Sequence, residues 1–133
     1  MKVAIVGSRG LTCDIGGVLP SETTELISGG AKGIDTCVRE YAQAHGLPIL
    51  EFLPDYKKYG RGAPIIRNGQ IIEAADFVLA IWDGKSRGTY SSICKAIKAG
   101  KPLEIYFSDD VPEEAQQAVL GKLPNGNVKV VKK

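Results

Sequence analysis

Short apolar runs alternate along the chain with stretches whose apolar residues recur at helical spacing. Val3 to Val6 is an unbroken apolar run of the kind found in a strand buried on both faces. Glu25 to Ser28, Pro48 to Leu53, Phe77 to Trp82 and Leu103 to Phe107 predict four further strands, Phe77 to Trp82 being the clearest. Asn127 to Val131 predicts a short edge strand whose lysines help guard the edge.

Helical patterns fill the intervals. Ile34, Cys37, Val38, Tyr41 and Ala42 follow i, i+3, i+4, i+7, i+8, and Gly46 should stop that helix with His45 in its last turn. Tyr90, Ile93, Cys94 and Ile97 repeat the pattern, with Gly100 as the stop and Pro102 beyond it. Ile65 to Ala75 predicts a helix weakened by Gly69, and Asp110 with Glu113 resembles a capping box ahead of a helix ending at Gly121. Leu11 to Leu19 is a poor helix, since Gly16 and Gly17 each cost about 1 kcal/mol inside one.

Strands alternating with helices imply an α/β chain: a single Rossmann-like domain over residues 1–133, with a mainly parallel sheet, helices on both faces and right-handed crossovers. No repeat, low-complexity tract or linker interrupts the pattern. In such folds ligands sit in the crevice outside the carboxyl ends of the strands, so the chemistry should lie in the loops that follow them.

Composition narrows the function classes. A chain of 133 residues with 44% hydrophobic residues can bury roughly two-thirds of its unfolded surface without a metal or disulfide. The net charge of +2 argues against a dedicated duplex-DNA binder but leaves room for a local basic cleft. Cys13, Cys37 and Cys94 are scattered, which suggests free thiols in a reducing compartment; Cys37 and Cys94 read as core residues. There is no membrane-spanning run and no cleavable signal pattern, so a cytoplasmic protein is expected. No His/Cys/carboxylate cluster has metal spacing, and no cofactor is implied.

Four strand-to-helix loops are unusual, and all should open on one edge. They are Gly7-Ser8-Arg9-Gly10, the segment Ser28 to Asp35, a long loop from Pro54 to Arg67-Asn68, and Asp83 to Thr89. Their glycines allow backbone to approach a ligand closely. The helices that follow direct free N–H groups and positive dipole ends at the loops, as a phosphate site needs. The candidate phosphate-binding residues are Gly7, Ser8, Arg9, Ser28, Gly29, Gly30, Lys32, Asp35, Arg67, Asn68, Asp83, Gly84, Ser86, Arg87, Gly88 and Thr89. Gly29 and Gly30 in particular should present backbone N–H groups to the phosphate.

Several residues admit two readings. Lys57, Lys58 and Arg61 are either a solvated loop surface or part of a nucleic-acid groove. Tyr56 and Tyr59 either stack on a base or pack on the domain. Asp35 either caps locally or accepts from a ribose hydroxyl. Trp82 reads as packing before it reads as a stacking platform, and His45 as a helix-end residue. Gly84-Lys85-Ser86 mimics the end of a P-loop, but Leu79 stands where that motif needs glycine, and no G-x-G-x-x-G follows the first strand.

The order Val6-Gly7-Ser8-Arg9, Ser28-Gly29-Gly30-Ala31-Lys32-Gly33-Ile34-Asp35, Arg67-Asn68, Ala75-Asp76 and Gly88-Thr89 resembles the SLOG superfamily. That superfamily joins the Rossmann domain of DNA-processing protein A to the LOG phosphoribohydrolases. The likeness runs from about Lys2 to about Tyr106, is most specific over Ser28 to Asp35, and is nearest to small stand-alone bacterial and phage members with no assigned activity. It implies a nucleotide-derived or nucleic-acid ligand. The LOG branch implies Arg67 as a catalytic residue, but its glutamate position is Ser92, and Ser86 and Arg87 replace part of its glycine run. A serine neither stabilises oxocarbenium-like charge nor acts as a base as a carboxylate does. The leading expectation is therefore a binding or sensor domain for a nucleotide-type small molecule, which could self-associate. The alternatives are a phosphoribohydrolase-like enzyme using Arg67 and an unrecognised acid, and a single-stranded nucleic-acid binder.

Overall fold

The computed structural model describes residues 1–126 and 128–131. Its elements are β1 (Lys2–Gly7), β2 (Glu25–Ser28), α1 (Ile34–His45), β3 (Ile49–Glu51), α2 (Tyr56–Tyr59), α3 (Ala63–Ala74), β4 (Phe77–Trp82), α4 (Arg87–Lys98), β5 (Leu103–Phe107), α5 (Glu113–Leu120) and β6 (Val128–Val131). Single 3-10 turns occupy Ile15–Gly17 and Gly60–Gly62. The six strands form one sheet in the order β3-β2-β1-β4-β5-β6, and every neighbouring pair is parallel. This is a Rossmann-like α/β architecture. No helix among the described residues is long and apolar enough to cross a membrane.

The alternation of side chains along β1 builds two cores. Val3 and Ile5 face α1 and pack with Leu26, Ile34, Val38, Leu79 and Ile81. Ala4 and Val6 face the other way and pack with Ile71, Ile72, Val78, Ala80, Ile93 and Ala96 beneath α3 and α4. Burial on both faces explains why β1 and β4 are continuous apolar runs rather than alternating ones. Trp82 is 2% exposed and stacks on Phe107, so it is a packing residue and not a ligand platform. The positive φ of Gly46 ends α1 in the left-handed conformation, with His45 in the last turn against Tyr41.

Several expectations need correction. The third strand is only Ile49–Glu51, although Pro48 and Phe52 still make backbone hydrogen bonds to Leu26 and Ser28 of β2. The long third loop is largely helical. Asp55 Oδ1 accepts from Lys58 N at 3.2 Å to start α2, and Pro64 favours the first turn of α3, which carries Arg67 and Asn68. The capping box is not formed: Pro112 precedes α5 without a side-chain cap, and Asp110 accepts instead from the Ser108 hydroxyl at 2.7 Å. Cys94 is half-buried and borders a surface groove with Tyr90 and Lys98 rather than joining a core, whereas Cys37 packs at the margin of the α1 core. Of the last expected strand, Val128–Val131 pairs with β5, and Asn127 lies outside the described residues.

Candidate functional site

A parallel sheet sends every strand's carboxyl end to one edge. The strand order reverses between β1 and β4, which is where ligands collect in open α/β sheets. A cavity of about 420 Å³ lies at that reversal. The first loop supplies Val6 to Gly10, and the second supplies Gly29, Ala31 and Asp35. Helix α3 contributes Pro64, Arg67, Asn68 and Ile71, and the fourth loop with the start of α4 contributes Asp83, Ser86, Gly88, Thr89 and Ser92.

Close packing of backbones sets the first loop. A Cβ on Gly7 would lie 2.5 Å from Ile34 Cγ1, so β1 can meet α1 only without a side chain there. Gly33 has φ +71°, and a Cβ on it would run into the Arg9 carbonyl. Together these glycines fix the start of α1 against Arg9. Ser8 is buried, donates its N–H to the Ile81 carbonyl at 3.2 Å, and accepts the Asp83 N–H on its hydroxyl at 3.3 Å. The first and fourth loops are thereby tied together.

Asp83 organises the fourth loop from within, because its Oδ1 accepts from the N–H groups of Lys85 and Ser86, each at 2.8 Å. Burial acts to raise its carboxyl, but those bonds and the Ser8 hydroxyl outweigh it and hold the group below its ordinary value. Ser86 caps α4: its Oγ accepts from Thr89 N at 3.4 Å and from the Thr89 hydroxyl at 3.2 Å, while its carbonyl accepts from Trp82 Nε1 at 3.1 Å.

On the other side, Arg67 donates through Nη1 to the Gly29 carbonyl at 3.0 Å and through Nε to Asn68 Oδ1 at 3.0 Å. Asp35 accepts from Ala31 N at 3.0 Å. Burial raises the Asp35 carboxyl above its ordinary value, against the opposing pull of Ala31, the buried Ser28 hydroxyl and Arg67. Burial also pulls the Arg67 guanidinium below its ordinary value; Asp35 opposes this and the charge of Arg9 adds to it. The two guanidinium groups line one cavity, where Asp35 offsets the effect of Arg9 on Arg67. Among the described residues, ion pairs form between Lys2 and Glu25 and between Arg39 and Glu51, and neither Arg9 nor Arg67 takes part in one.

Eleven of the sixteen residues expected at the site from sequence line this cavity: Gly7, Ser8, Arg9, Gly29, Asp35, Arg67, Asn68, Asp83, Ser86, Gly88 and Thr89. The other five stand elsewhere. Ser28 lies fully buried behind Asp35. Gly30, with φ +67°, turns away from the cavity: a Cβ there would meet Leu53 Cδ2 at 2.6 Å and Glu51 Oε2 at 3.3 Å, and Arg39 Nη2 donates to its carbonyl at 3.4 Å. Lys32 and Arg87 are exposed and Gly84 is half-buried, and none of these lines the cavity. The expectation that the N–H groups of both Gly29 and Gly30 face a phosphate does not hold for Gly30, whose N–H donates to Ser28 Oγ at 3.5 Å; Gly29 and Ala31 line the cavity.

Asp35 takes the local role that the sequence left open, accepting a backbone N–H four residues before it. Lys57, Lys58 and Arg61 are exposed and stand outside the cavity, as does Tyr56 at 58% exposure. Tyr59 carries the Lys58 ammonium 5.2 Å from its ring centre. Val6, Gly10, Ala31, Pro64, Ile71 and Ser92 line the cavity but were not among the sixteen. For the last three the signal lay in helical spacing, because Pro64, Arg67, Asn68 and Ile71 stand at i, i+3, i+4 and i+7, and Ser92 follows Thr89 by three.

Hydroxyls and two guanidinium groups share one concave surface with Asp35 and Asp83, whose carboxyls are engaged by loop N–H groups, and the guanidinium groups suit a ligand with anionic oxygens. Among the described residues no group of three His, Cys, Asp or Glu side chains could hold a metal ion. In comparisons with known proteins, the chain matches no family model, no curated protein and no solved structure.

Proposed function

We propose that this protein binds a nucleotide or nucleotide-derived ligand by its phosphate in the cavity at the β1/β4 reversal, as a binding or sensor domain. One observation carries the reading: Arg9 and Arg67, from elements far apart in sequence, line the same cavity, and neither is in ion-pair contact with a carboxylate among the described residues. A phosphate suits a surface with two guanidinium groups, of which Arg67 is held in place by Gly29 and Asn68. The start of α4, with Gly88 and Thr89, adds a positive dipole end. The resemblance to the SLOG superfamily supports the same ligand class and remains part of the proposal.

Calorimetric titration of nucleoside monophosphates against wild type and Arg9→Ala tests it. A charge-assisted contact is worth about 1.5–3 kcal/mol, so Arg9→Ala should weaken binding about tenfold to hundredfold. Arg9 is exposed, so the fold should survive. No binding of any monophosphate to wild type, or equal binding to the variant, overturns the reading.

A second reading, hydrolysis of the N-glycosidic bond of a nucleoside monophosphate, has one observation in its favour. Asp35, a carboxyl with raised proton affinity, lines the same cavity as Arg67 and so offers an acid that the Ser92 position lacks. Release of free base that Asp35→Asn abolishes would establish it. Stable binding without base release leaves the sensor reading in place.

A further inference from the structure

Three hydroxyl residues of α4 line the cavity: Ser86 at the cap, then Thr89, then Ser92. The first two are engaged with each other, since Ser86 Oγ accepts from both the N–H and the hydroxyl of Thr89. Ser92 stands three residues further on, about 4.5 Å along the helix axis. It is 2% exposed, yet its hydroxyl makes no hydrogen bond among the described residues. A helical serine ordinarily bonds back to a carbonyl or turns to solvent, and Ser92 does neither. No wholly enclosed side-chain oxygen or nitrogen lacks a partner among the described residues, so the free Ser92 oxygen reaches the cavity surface.

Asn68 is in the same condition on α3, which packs beside α4. It is 8% exposed, and its Oδ1 is taken by Arg67 Nε at 3.0 Å. That bond turns the carbonyl end of the amide to the guanidinium and leaves the NH2 end without a partner among the described residues. Asn68 also lines the cavity. Buried polar groups without a protein partner are uncommon, and here two border one space.

The chemistry of these two groups differs from that of Arg9 and Arg67. Neither carries charge. Asn68 Nδ2 only donates, whereas Ser92 Oγ donates or accepts. An alcohol satisfies both kinds of group, since it accepts from an amide and exchanges either role with a hydroxyl. No aromatic side chain lines the cavity, so nothing there offers a base a stacking partner.

We infer that the ligand held by Arg9 and Arg67 is a ribonucleotide whose ribose hydroxyls bind at Asn68 Nδ2 and Ser92 Oγ. This rests on the phosphate reading above and adds the site of the sugar. The guanidinium groups then set affinity for charge, and the α3/α4 wall sets the preference for ribose over deoxyribose.

Ser92→Ala is the discriminating variant, because it removes one hydroxyl and no internal hydrogen bond. The tightest binder among AMP, GMP, CMP and UMP is compared by calorimetry with its 2′-deoxy and 3′-deoxy forms. Wild type should bind the ribonucleotide about fivefold or more tightly than at least one deoxy form, as the loss of one hydrogen bond implies. Ser92→Ala should bring the ribonucleotide down to the level of one deoxy form and leave that form within about twofold of its wild-type affinity. The urea midpoint of the free protein should not fall. Equal binding of the ribonucleotide and both deoxy forms to wild type overturns the inference without any variant. So does a Ser92→Ala protein that keeps the full preference, or one that weakens ribo and deoxy forms alike, which would place the contact elsewhere on the ligand. A clear fall in the urea midpoint would show that the hydroxyl serves the fold and would overturn it too. In each of these cases nucleotide binding to wild type persists and the phosphate site stands. Failure of every nucleotide to bind wild type removes the phosphate site itself.

Discussion

Two regions on the carboxyl edge of the sheet are rich in cations, and they are built in opposite ways. Around the cavity, Arg9 and Arg67 come from elements far apart in sequence and converge on one concave space. In the α2 segment, Lys57, Lys58 and Arg61 are neighbours in sequence and point into solvent. The second region has more charge and less structure around it. Exposed charges in water are screened and weak, whereas half-buried Arg67 acts more strongly on what enters the cavity, and exposed Arg9 gains by standing beside the same concave space. Counting cations would favour α2; convergence favours the cavity.

The contrast depends on a scaffold for the first region, and breaking that scaffold should have the largest effect. Gly33 holds φ +71° with the Arg9 carbonyl where a side chain would be. Gly33→Val should cost about 3 kcal/mol or more, from backbone strain and overpacking together. Urea unfolding measures it, and a loss below about 1 kcal/mol would show that the loop relaxes easily and that its clasp on α1 is loose. No equivalent close approach holds α2: a Cβ on Gly60 or Gly62 meets nothing within 4 Å, and the constraint there is the positive φ of Gly60, +59°, alone.

A subtler prediction concerns two carboxyls that line the same cavity with opposite shifts. Asp35 is raised by burial, so its folded form holds the proton more tightly than the unfolded chain does. Stability therefore falls as pH rises from the ordinary carboxylate value through the raised one, and Asp35→Asn should gain on wild type over that interval. Asp83 is lowered: burial works against it, but its backbone bonds to Ser86 and Lys85 prevail. Its contribution is present above the ordinary value and is lost as pH falls through the lowered one. Asp83→Asn should cost about 1 kcal/mol at neutral pH, and the cost should shrink in acid. Urea midpoints of both variants between neutral and acidic pH check the signs. Parallel slopes would contradict the different environments assigned to the two groups.

Much of this arrangement was legible in the sequence. β1, β2, β4 and β5 are apolar runs with glycine, serine or aspartate just beyond them, and local patterning marks them clearly. The edge strand β3 was harder, because only three of its residues pair regularly and Leu50 is 43% exposed. The loops that line the cavity could be picked out by their glycines and hydroxyls. The direction in which each residue points could not. Gly29 and Gly30 are adjacent and alike in sequence, yet one faces the cavity and the other faces Leu53, a difference set by backbone angles and by β3. Lys32 and Arg87 fail for the same reason, since a basic residue in the right loop reaches the ligand only if its Cα–Cβ vector allows it. α3 was expected from Ile65 to Ala75, but α2 and the first turn of α3 were read as loop, because the cations between Asp55 and Pro64 obscured two helix starters.

The smallest expected effect tests the comparison from its other side. Replacing Lys57, Lys58 and Arg61 together by alanine removes three positive charges close to the cavity but outside its lining. If convergence rather than charge count makes the site, nucleotide affinity should change by less than about twofold, because exposed charges beyond the contact surface act only through screened fields. Stability should also move little. The Lys58 contact with the Tyr59 ring is of the exposed kind, worth about 0.5–1 kcal/mol, and the Asp55 cap uses the Lys58 backbone N–H, which alanine retains. The same protein should be titrated with a single-stranded oligonucleotide at low and physiological salt. Binding to a strand through these residues would weaken steeply with salt, with a slope near −0.7 per neutralised phosphate. Weak binding by wild type at physiological salt, with mononucleotide affinity intact in the triple variant, leaves the α2 cations as a solvated surface. Tight oligonucleotide binding that the triple variant loses would reverse the ranking of the two regions and make α2 the recognition element.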